Sequence, residues 1–125
     1  MSKQILVVED QEDNRRILRD LLTSAGYEMV EAVTGIEGVA MAQTHRPDLI
    51  LMDIQLPEID GYEATRRIKA DPALRPIPII AVTSYALSGD DATAYEAGCN
   101  DYVTKPFSPR QLLAKIREHL PPGDS

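Results

Sequence analysis

The stretch PDLILMDIQLP, residues 47–57, places a single carboxylate, Asp53, inside a run of apolar side chains. Five of the six positions 49–54 are apolar, which is typical of a strand that helices bury on both faces of a parallel sheet. A lone charge in such surroundings costs several kcal/mol unless it is compensated. Asp53 therefore marks the point at which a core strand reaches a polar site.

Apolar runs alternate with helical patterns five times along the chain. The predicted strands cover residues 4–9, 27–32, 48–53, 77–83 and 101–105. The predicted helices cover residues 13–26, 34–44, 60–70, 88–97 and 108–120, of which 88–97 is weak and polar. This alternation predicts a parallel sheet with right-handed crossovers. The fold class is therefore α/β, a five-stranded doubly wound domain.

The composition restricts the class of protein. A chain of 125 residues can form one domain with its own core, here residues 1–120, followed by a short tail at 121–125. The formal charge of −7 argues against nucleic-acid binding, which usually requires a basic face. No membrane span or signal peptide is predicted, and with a single cysteine these absences favour a cytoplasmic location. No output domain is predicted, so any output must come from the domain's own surface.

Four predicted strands end in polar side chains. These are Glu9 and Asp10 after the first strand, Asp53 after the third, Thr83 and Ser84 after the fourth, and Lys105 after the fifth. Because doubly wound sheets place their sites at the carboxyl ends of the strands, we expect these side chains to share one crevice. Three carboxylates repel one another unless a cation is present, and Mg²⁺ prefers oxygen ligands. The sequence therefore predicts a magnesium site.

A hydroxyl group and an amine beside such a site suit an incoming phosphoryl group. The metal and Lys105 would neutralise its oxygens, and Thr83 would donate a hydrogen bond. Asp53 could then act as a nucleophile that holds the phosphoryl group as an acyl phosphate. The sequence thus favours phosphoryl transfer onto Asp53.

These residues also have purely structural explanations. Taken alone, Asp10 is better explained as the cap of the first helix, and Tyr102 as a half-buried strand aromatic. The strongest combined alternative is a buried ion pair between Asp53 and Lys105. An ion pair alone does not explain why four strand ends converge on one acidic crevice, so we favour a functional site.

Four motifs carry a resemblance to a known family. They are ILVVED at 5–10, DLILMDIQLPEIDGYE at 48–63, PIIAVTS at 78–84 and GCNDYVTKPF at 98–107. In this order and spacing the chain resembles the receiver domain of two-component response regulators over essentially its full length. It looks most like single-domain regulators of the cell-division DivK kind, although a hybrid-kinase receiver would look similar. The resemblance implies a flavodoxin-like sheet of strand order 2-1-3-4-5 with five helices.

The resemblance also implies a chemical role for the acidic residues. Asp53 would accept a phosphoryl group from a histidine of a sensor kinase or of a phosphotransfer protein. Mg²⁺ would be held by Glu9, through water, by Asp10 and Asp53, and by the main-chain carbonyl of Gln55. The protein would not be an enzyme, although it would assist its own phosphorylation and dephosphorylation.

Further residues would contact the phosphoryl group or transmit its arrival. Thr83, Ser84 and Lys105 would lie at the phosphoryl oxygens. Movement of Thr83 would let Tyr102 turn inward, which would reshape the face of the fourth helix, fifth strand and fifth helix. This face would bind an unidentified downstream protein or form a phosphorylation-dependent dimer of an otherwise monomeric chain. Pro106 is a candidate for a cis peptide bond, since only X-Pro pairs adopt that isomer cheaply.

Two other functional classes share parts of this pattern. A haloacid-dehalogenase-like phosphohydrolase needs a second aspartate two residues after the nucleophile as an acid for the leaving group, and Gln55 occupies that position. A flavodoxin needs a Ser/Thr/Gly-rich phosphate loop after the first strand, where this chain has EDQEDN at 9–14. Both classes are therefore less favoured than a phosphorylated regulator.

Overall fold

Five parallel strands form the centre of the computed structural model, which describes residues 3–83 and 90–120. They are β1 (Gln4–Val8), β2 (Glu28–Ala32), β3 (Leu49–Asp53), β4 (Ile79–Thr83) and β5 (Asp101–Thr104). Hydrogen bonding between neighbours gives the order β2-β1-β3-β4-β5. The predicted doubly wound sheet and its strand order are confirmed.

Helices cover both faces of this sheet. They are α1 (Glu12–Ser24), α2 (Gly35–His45), α3 (Gly61–Ala70), α4 (Asp90–Ala97) and α5 (Pro109–His119). The buried side chains of α1 and α5 pack on one face, and those of α2, α3 and α4 pack on the other. Every residue of β3 and β4 is consequently buried, which explains their apolar sequences. The first two residues of the predicted fourth helix, 88–89, lie outside the described residues.

Side-chain caps begin three of the four helices whose first turn and preceding residue the structure describes. The oxygens of Thr34, Asp60 and Ser108 accept hydrogen bonds from the backbone N–H three residues later, at 3.0, 2.9 and 3.4 Å. Helix α1 instead has Gln11 at its N-cap position, and the Gln11 side chain accepts no hydrogen bond from the first turn of the helix. The alternative explanation of Asp10 as a helix cap is therefore wrong, and the position of its carboxylate needs another reason.

The pairing of the strands brings their carboxyl ends level. Val8 lies beside Met52 in the sheet, and Asp53 lies beside Val82. The residues that follow these positions therefore leave the sheet at one edge. Within residues 3–83 and 90–120, no helix has the length and apolar character needed to cross a membrane.

Gly61 lets helix α3 begin directly against the end of β3. Its N–H donates a hydrogen bond to the Ile54 carbonyl at 3.0 Å. A Cβ atom at this position would collide with the carbonyl oxygen of Asp53. Only glycine fits this close approach, which holds the backbone around Asp53 in place.

Candidate functional site

Three carboxylates lie together at the carboxyl edge of the sheet. Glu9 and Asp10 follow β1, and Asp53 is the last residue of β3. One oxygen from each carboxylate lies within 4.8 Å of the others. The side chains of Glu9 and Asp53 are almost fully buried, and Asp10 is half-buried. We call these three residues the acidic cluster; it follows directly from the pairing of β1 with β3.

The ammonium group of Lys105 contacts two members of the acidic cluster. Its Nζ atom lies 3.0 Å from Glu9 Oε1 and 3.3 Å from Asp53 Oδ2. The Lys105 backbone N–H donates to the Thr83 carbonyl at 2.7 Å, which ties the residue to the end of β4. Burial lowers the pKa of Lys105, but its hydrogen bond to Glu9 and the attraction of Asp53 outweigh burial and raise the pKa above its usual value.

The pKa values of Asp53 and Glu9 shift in opposite directions, although both carboxylates contact Lys105. Burial, followed by the charge of Glu9, raises the pKa of Asp53 to about 6 despite a hydrogen bond from the Gln55 N–H. Burial also tends to raise the pKa of Glu9, but the Gln11 N–H and Lys105 outweigh it and the pKa falls below its usual value. Lys105 therefore stabilises both carboxylates and makes its shorter contact with Glu9, whereas the charged form of Asp53 remains unfavourable up to about pH 6.

Asp53 and Lys105 do form the buried ion pair that was the strongest structural alternative. That pair leaves the acidic cluster unbalanced, since three carboxylates face one ammonium group. Among residues 3–83 and 90–120, the Asp10 carboxylate has no hydrogen-bond or ion-pair partner. A structural ion pair gives no reason for this third carboxylate. The cluster instead offers oxygen ligands of the kind that a hard divalent cation requires.

The other predicted site residues lie around the acidic cluster where they are described. Thr83 is buried at the end of β4, the strand next to β3. Gln55 is exposed, and its backbone N–H donates to Asp53 Oδ1 at 3.0 Å. The Lys105–Pro106 peptide bond is cis. The predicted phosphoryl contact of Ser84 lies outside the described residues.

Tyr102 lies in β5, away from the carboxylates. It is half-buried, and its ring meets that of Tyr95 on α4 edge to face, with centroids 6.1 Å apart. This contact joins β5 to α4 on one face of the molecule. The placement is compatible both with a structural aromatic and with the predicted switch residue.

Sequence reasoning did not identify two residues that hold the acidic cluster in place, Arg15 and Gly61. Arg15 donates a hydrogen bond from Nη1 to the Glu9 carbonyl at 2.9 Å, although its helical pattern does not distinguish it from its neighbours Arg16 and Arg19. Gly61 falls within the predicted helix 60–70, but nothing in that pattern indicates that its missing side chain admits the Asp53 carbonyl. Both roles depend on contacts between elements, which no local motif records.

Comparison with known proteins places this geometry in a family. The response regulator receiver domain family matches residues 5–117. The polar-differentiation response regulator DivK of Brucella anthropi is 45% identical over 125 residues, which cover 100% of both chains. Neither match supports the phosphohydrolase or the hybrid-kinase alternative.

Solved structures agree with this match. The receiver domain of a sensor histidine kinase from Pseudomonas aeruginosa PAO1, with a magnesium ion coordinated in its active site cleft, has a TM-score of 0.89 and 41% identity; the match covers 96% of this chain and 98% of that one. The chemotaxis protein CheY4 of Vibrio cholerae has a TM-score of 0.89 and 27% identity, with 94% and 98% covered. The chain therefore belongs to the response regulator receiver domain family, which functions in two-component phosphorelay signalling.

Proposed function

We propose that Asp53 accepts a phosphoryl group from a phosphohistidine of a sensor kinase or a phosphotransfer protein. The observation that carries this proposal is the excess negative charge of the acidic cluster, in which Asp53 lies beside Lys105. A buried carboxylate that contacts a lysine and lies beside two further acids is poised for a cation-assisted reaction with an anionic donor.

Mg²⁺ is the cation that the donor set fits. Glu9, Asp10 and Asp53 supply carboxylate oxygens, and the main-chain carbonyl of Gln55 would supply another oxygen; Glu9 would act through water. The magnesium ion in the cleft of the P. aeruginosa receiver supports this choice. When bound, Mg²⁺ would offset the negative charge of both the carboxylates and the incoming phosphoryl group.

The residues of the chain would then carry the transfer. An oxygen of Asp53 attacks the phosphorus atom as the phosphorus–nitrogen bond to the donor histidine breaks, which leaves an acyl phosphate on Asp53 and a free imidazole on the donor. Lys105 is close enough to exchange its carboxylate contacts for a phosphoryl oxygen. The Thr83 hydroxyl group would donate a hydrogen bond to a second phosphoryl oxygen, and Ser84 would contact the phosphoryl group as well.

Phosphorylation would be transmitted by Thr83 and Tyr102. Thr83 ends β4, and Tyr102 lies in the neighbouring strand beside Ala81. Movement of the Thr83 side chain towards the phosphoryl group would open space into which Tyr102 turns. Since Tyr102 contacts Tyr95, the change would alter the face formed by α4, β5 and α5. That face would bind a downstream protein or pair two copies of the chain.

The proposed protein is a cytoplasmic regulator, not an enzyme that turns over an external substrate. Residues 1–120 would form the receiver and residues 121–125 a tail. At the position where a phosphohydrolase of this chemistry needs an acid, Gln55 has an amide, which cannot protonate a leaving group. Multiple-turnover hydrolysis of a phosphate monoester would contradict this assignment.

Phosphotransfer from purified sensor kinases tests the proposal. Each kinase is autophosphorylated with labelled ATP and mixed with the wild type, Asp53→Ala or Asp20→Ala in the presence of Mg²⁺. Asp20 is an exposed carboxylate on α1 and serves as the control. Wild type and Asp20→Ala should take up the label rapidly from one kinase, and Asp53→Ala should not. Equal labelling of Asp53→Ala would refute the proposed acceptor.

A further inference from the structure

We infer that Arg15 is a positioning residue for the metal site and acts through the peptide group that joins Glu9 to Asp10. The inference rests on the proposed magnesium site. Arg15 Nη1 donates to the Glu9 carbonyl at 2.9 Å, while the Glu9 N–H donates to the Ala32 carbonyl at 3.0 Å. The main chain of Glu9 is thus held on both sides, just beyond the last residue of β1.

Arg15 is itself held firmly. Its side chain is only 14% exposed, and its Nε atom lies 3.2 Å from Glu31 Oε1. Arg19, one turn further along α1, binds the same Glu31 carboxylate through two hydrogen bonds of 2.7 Å each. The hydrogen bonds from Arg19 hold the pKa of Glu31 below its usual value despite some burial, so the Glu31 carboxylate stays charged and can bind Arg15. The guanidinium group of Arg15 therefore links the end of β1 to β2.

This link matters most for Asp10. The Glu9 carbonyl and the Asp10 nitrogen share one planar peptide group, so a hydrogen bond to the carbonyl also fixes the direction in which Asp10 leaves β1. The Asp10 carboxylate has no side-chain partner of its own among residues 3–83 and 90–120. Its position in the acidic cluster consequently depends on the main chain that Arg15 holds.

Simple electrostatics predicts the opposite effect for Arg15. A positive charge near a cation site repels Mg²⁺, so the loss of that charge alone should strengthen binding. The loss of a positioning contact should weaken it, and replacement of groups that orient metal ligands typically costs about 10–100-fold in affinity. The sign of the change therefore separates the two roles.

Calorimetric titration of the full metal-free chain with MgCl₂ provides the test. Wild type is compared with Arg15→Met and with Arg19→Met, which removes the same charge and another contact with Glu31 but no contact with Glu9. We expect Arg15→Met to bind Mg²⁺ about 10-fold more weakly than wild type. Arg19→Met should bind as tightly as wild type or slightly more tightly. Urea unfolding in EDTA checks that each variant is folded.

A double mutant identifies the path of the effect. If Arg15 acts through Asp10, Arg15→Met should cause no further loss in an Asp10→Asn background. A further 10-fold loss there would overturn the inference, as would Mg²⁺ binding by Arg15→Met that is as tight as in Arg19→Met. If Arg15→Met does not fold, Arg15→Gln replaces it in the same comparisons with the same expected loss. Failure of the wild type to bind Mg²⁺ would instead refute the proposed function.

Discussion

Replacement of Asp53 by asparagine should stabilise the metal-free protein at neutral pH. The pKa of Asp53 is raised from 3.8 to about 6, chiefly by burial and then by the charge of Glu9. At about 1.4 kcal/mol per pKa unit, ionisation of Asp53 in the folded protein costs about 3 kcal/mol. Asparagine has nearly the same shape, can still accept the hydrogen bond from the Gln55 N–H, and carries no charge. Asp53→Asn should therefore recover most of that free energy.

The pH dependence gives this prediction its sign. Between pH 3.8 and about 6, folded Asp53 holds a proton that the unfolded chain has released. Because the folded state binds more protons there, the unfolding free energy contributed by Asp53 falls as pH rises through this interval. Asparagine does not titrate. The stability difference between Asp53→Asn and wild type should be near zero below the interval and reach about 3 kcal/mol above it.

Urea unfolding followed by circular dichroism in EDTA, at a series of pH values, measures this difference. Asp20→Asn, an exposed control on the same scaffold, should follow the wild-type curve at every pH. Addition of Mg²⁺ should stabilise wild type more than Asp53→Asn and so narrow the gap, because a ligand stabilises the state that binds it. An Asp53→Asn variant that is no more stable than wild type at pH 8 in EDTA would refute the reasoning.

Three further predictions follow from the contacts around the site. Lys105→Met leaves two buried carboxylates without their cation and should lower the unfolding free energy in EDTA by about 3 kcal/mol. As a control, Lys115→Met breaks a more exposed ion pair with Asp101 and should lower the unfolding free energy by about 1 kcal/mol or less. Equal losses for the two variants in urea unfolding would contradict this prediction. Gly61→Ala should destabilise by about 1–3 kcal/mol in the same assay although alanine favours helices, and a stabilised variant would show that no collision occurs. Thr83→Val should still accept a phosphoryl group but should lose the phosphorylation-dependent NMR shift of Tyr102, so an unchanged shift would exclude Thr83 as the switch.

Much of the fold could be predicted because the informative patterns are local. The buried run of β3 and the capping residues Thr34, Asp60 and Ser108 each report on their own neighbourhood. Once the strands are known to be parallel, their carboxyl ends must meet at one edge, so the acidic cluster and Lys105 could be brought together without knowledge of any distance. The structure places these groups within a few ångströms of one another.

The sequence could not predict which carboxylates Lys105 contacts or in which direction their pKa values shift. The structural alternative paired Lys105 with Asp53 alone, whereas Lys105 contacts Glu9 as well and at a shorter distance, and the pKa of Asp53 is raised. The sequence also favoured a capping role for Asp10 when that residue was considered alone, and α1 has no such cap. Arg15 was missed because its partner is the backbone carbonyl of Glu9, between β1 and α1, which no side-chain pattern indicates. Each of these points depends on tertiary distances, which helical and strand periodicity do not contain.

The most direct test of the account is chemical identification of the phosphorylated residue. The protein is incubated with acetyl phosphate with and without Mg²⁺, treated with borohydride, which reduces an aspartyl phosphate to homoserine, and mapped by peptide mass spectrometry. The account predicts Mg²⁺-dependent conversion of Asp53 to homoserine and of no other aspartate. Conversion at a different aspartate, or conversion of Asp53 that is equally efficient in EDTA, would contradict it.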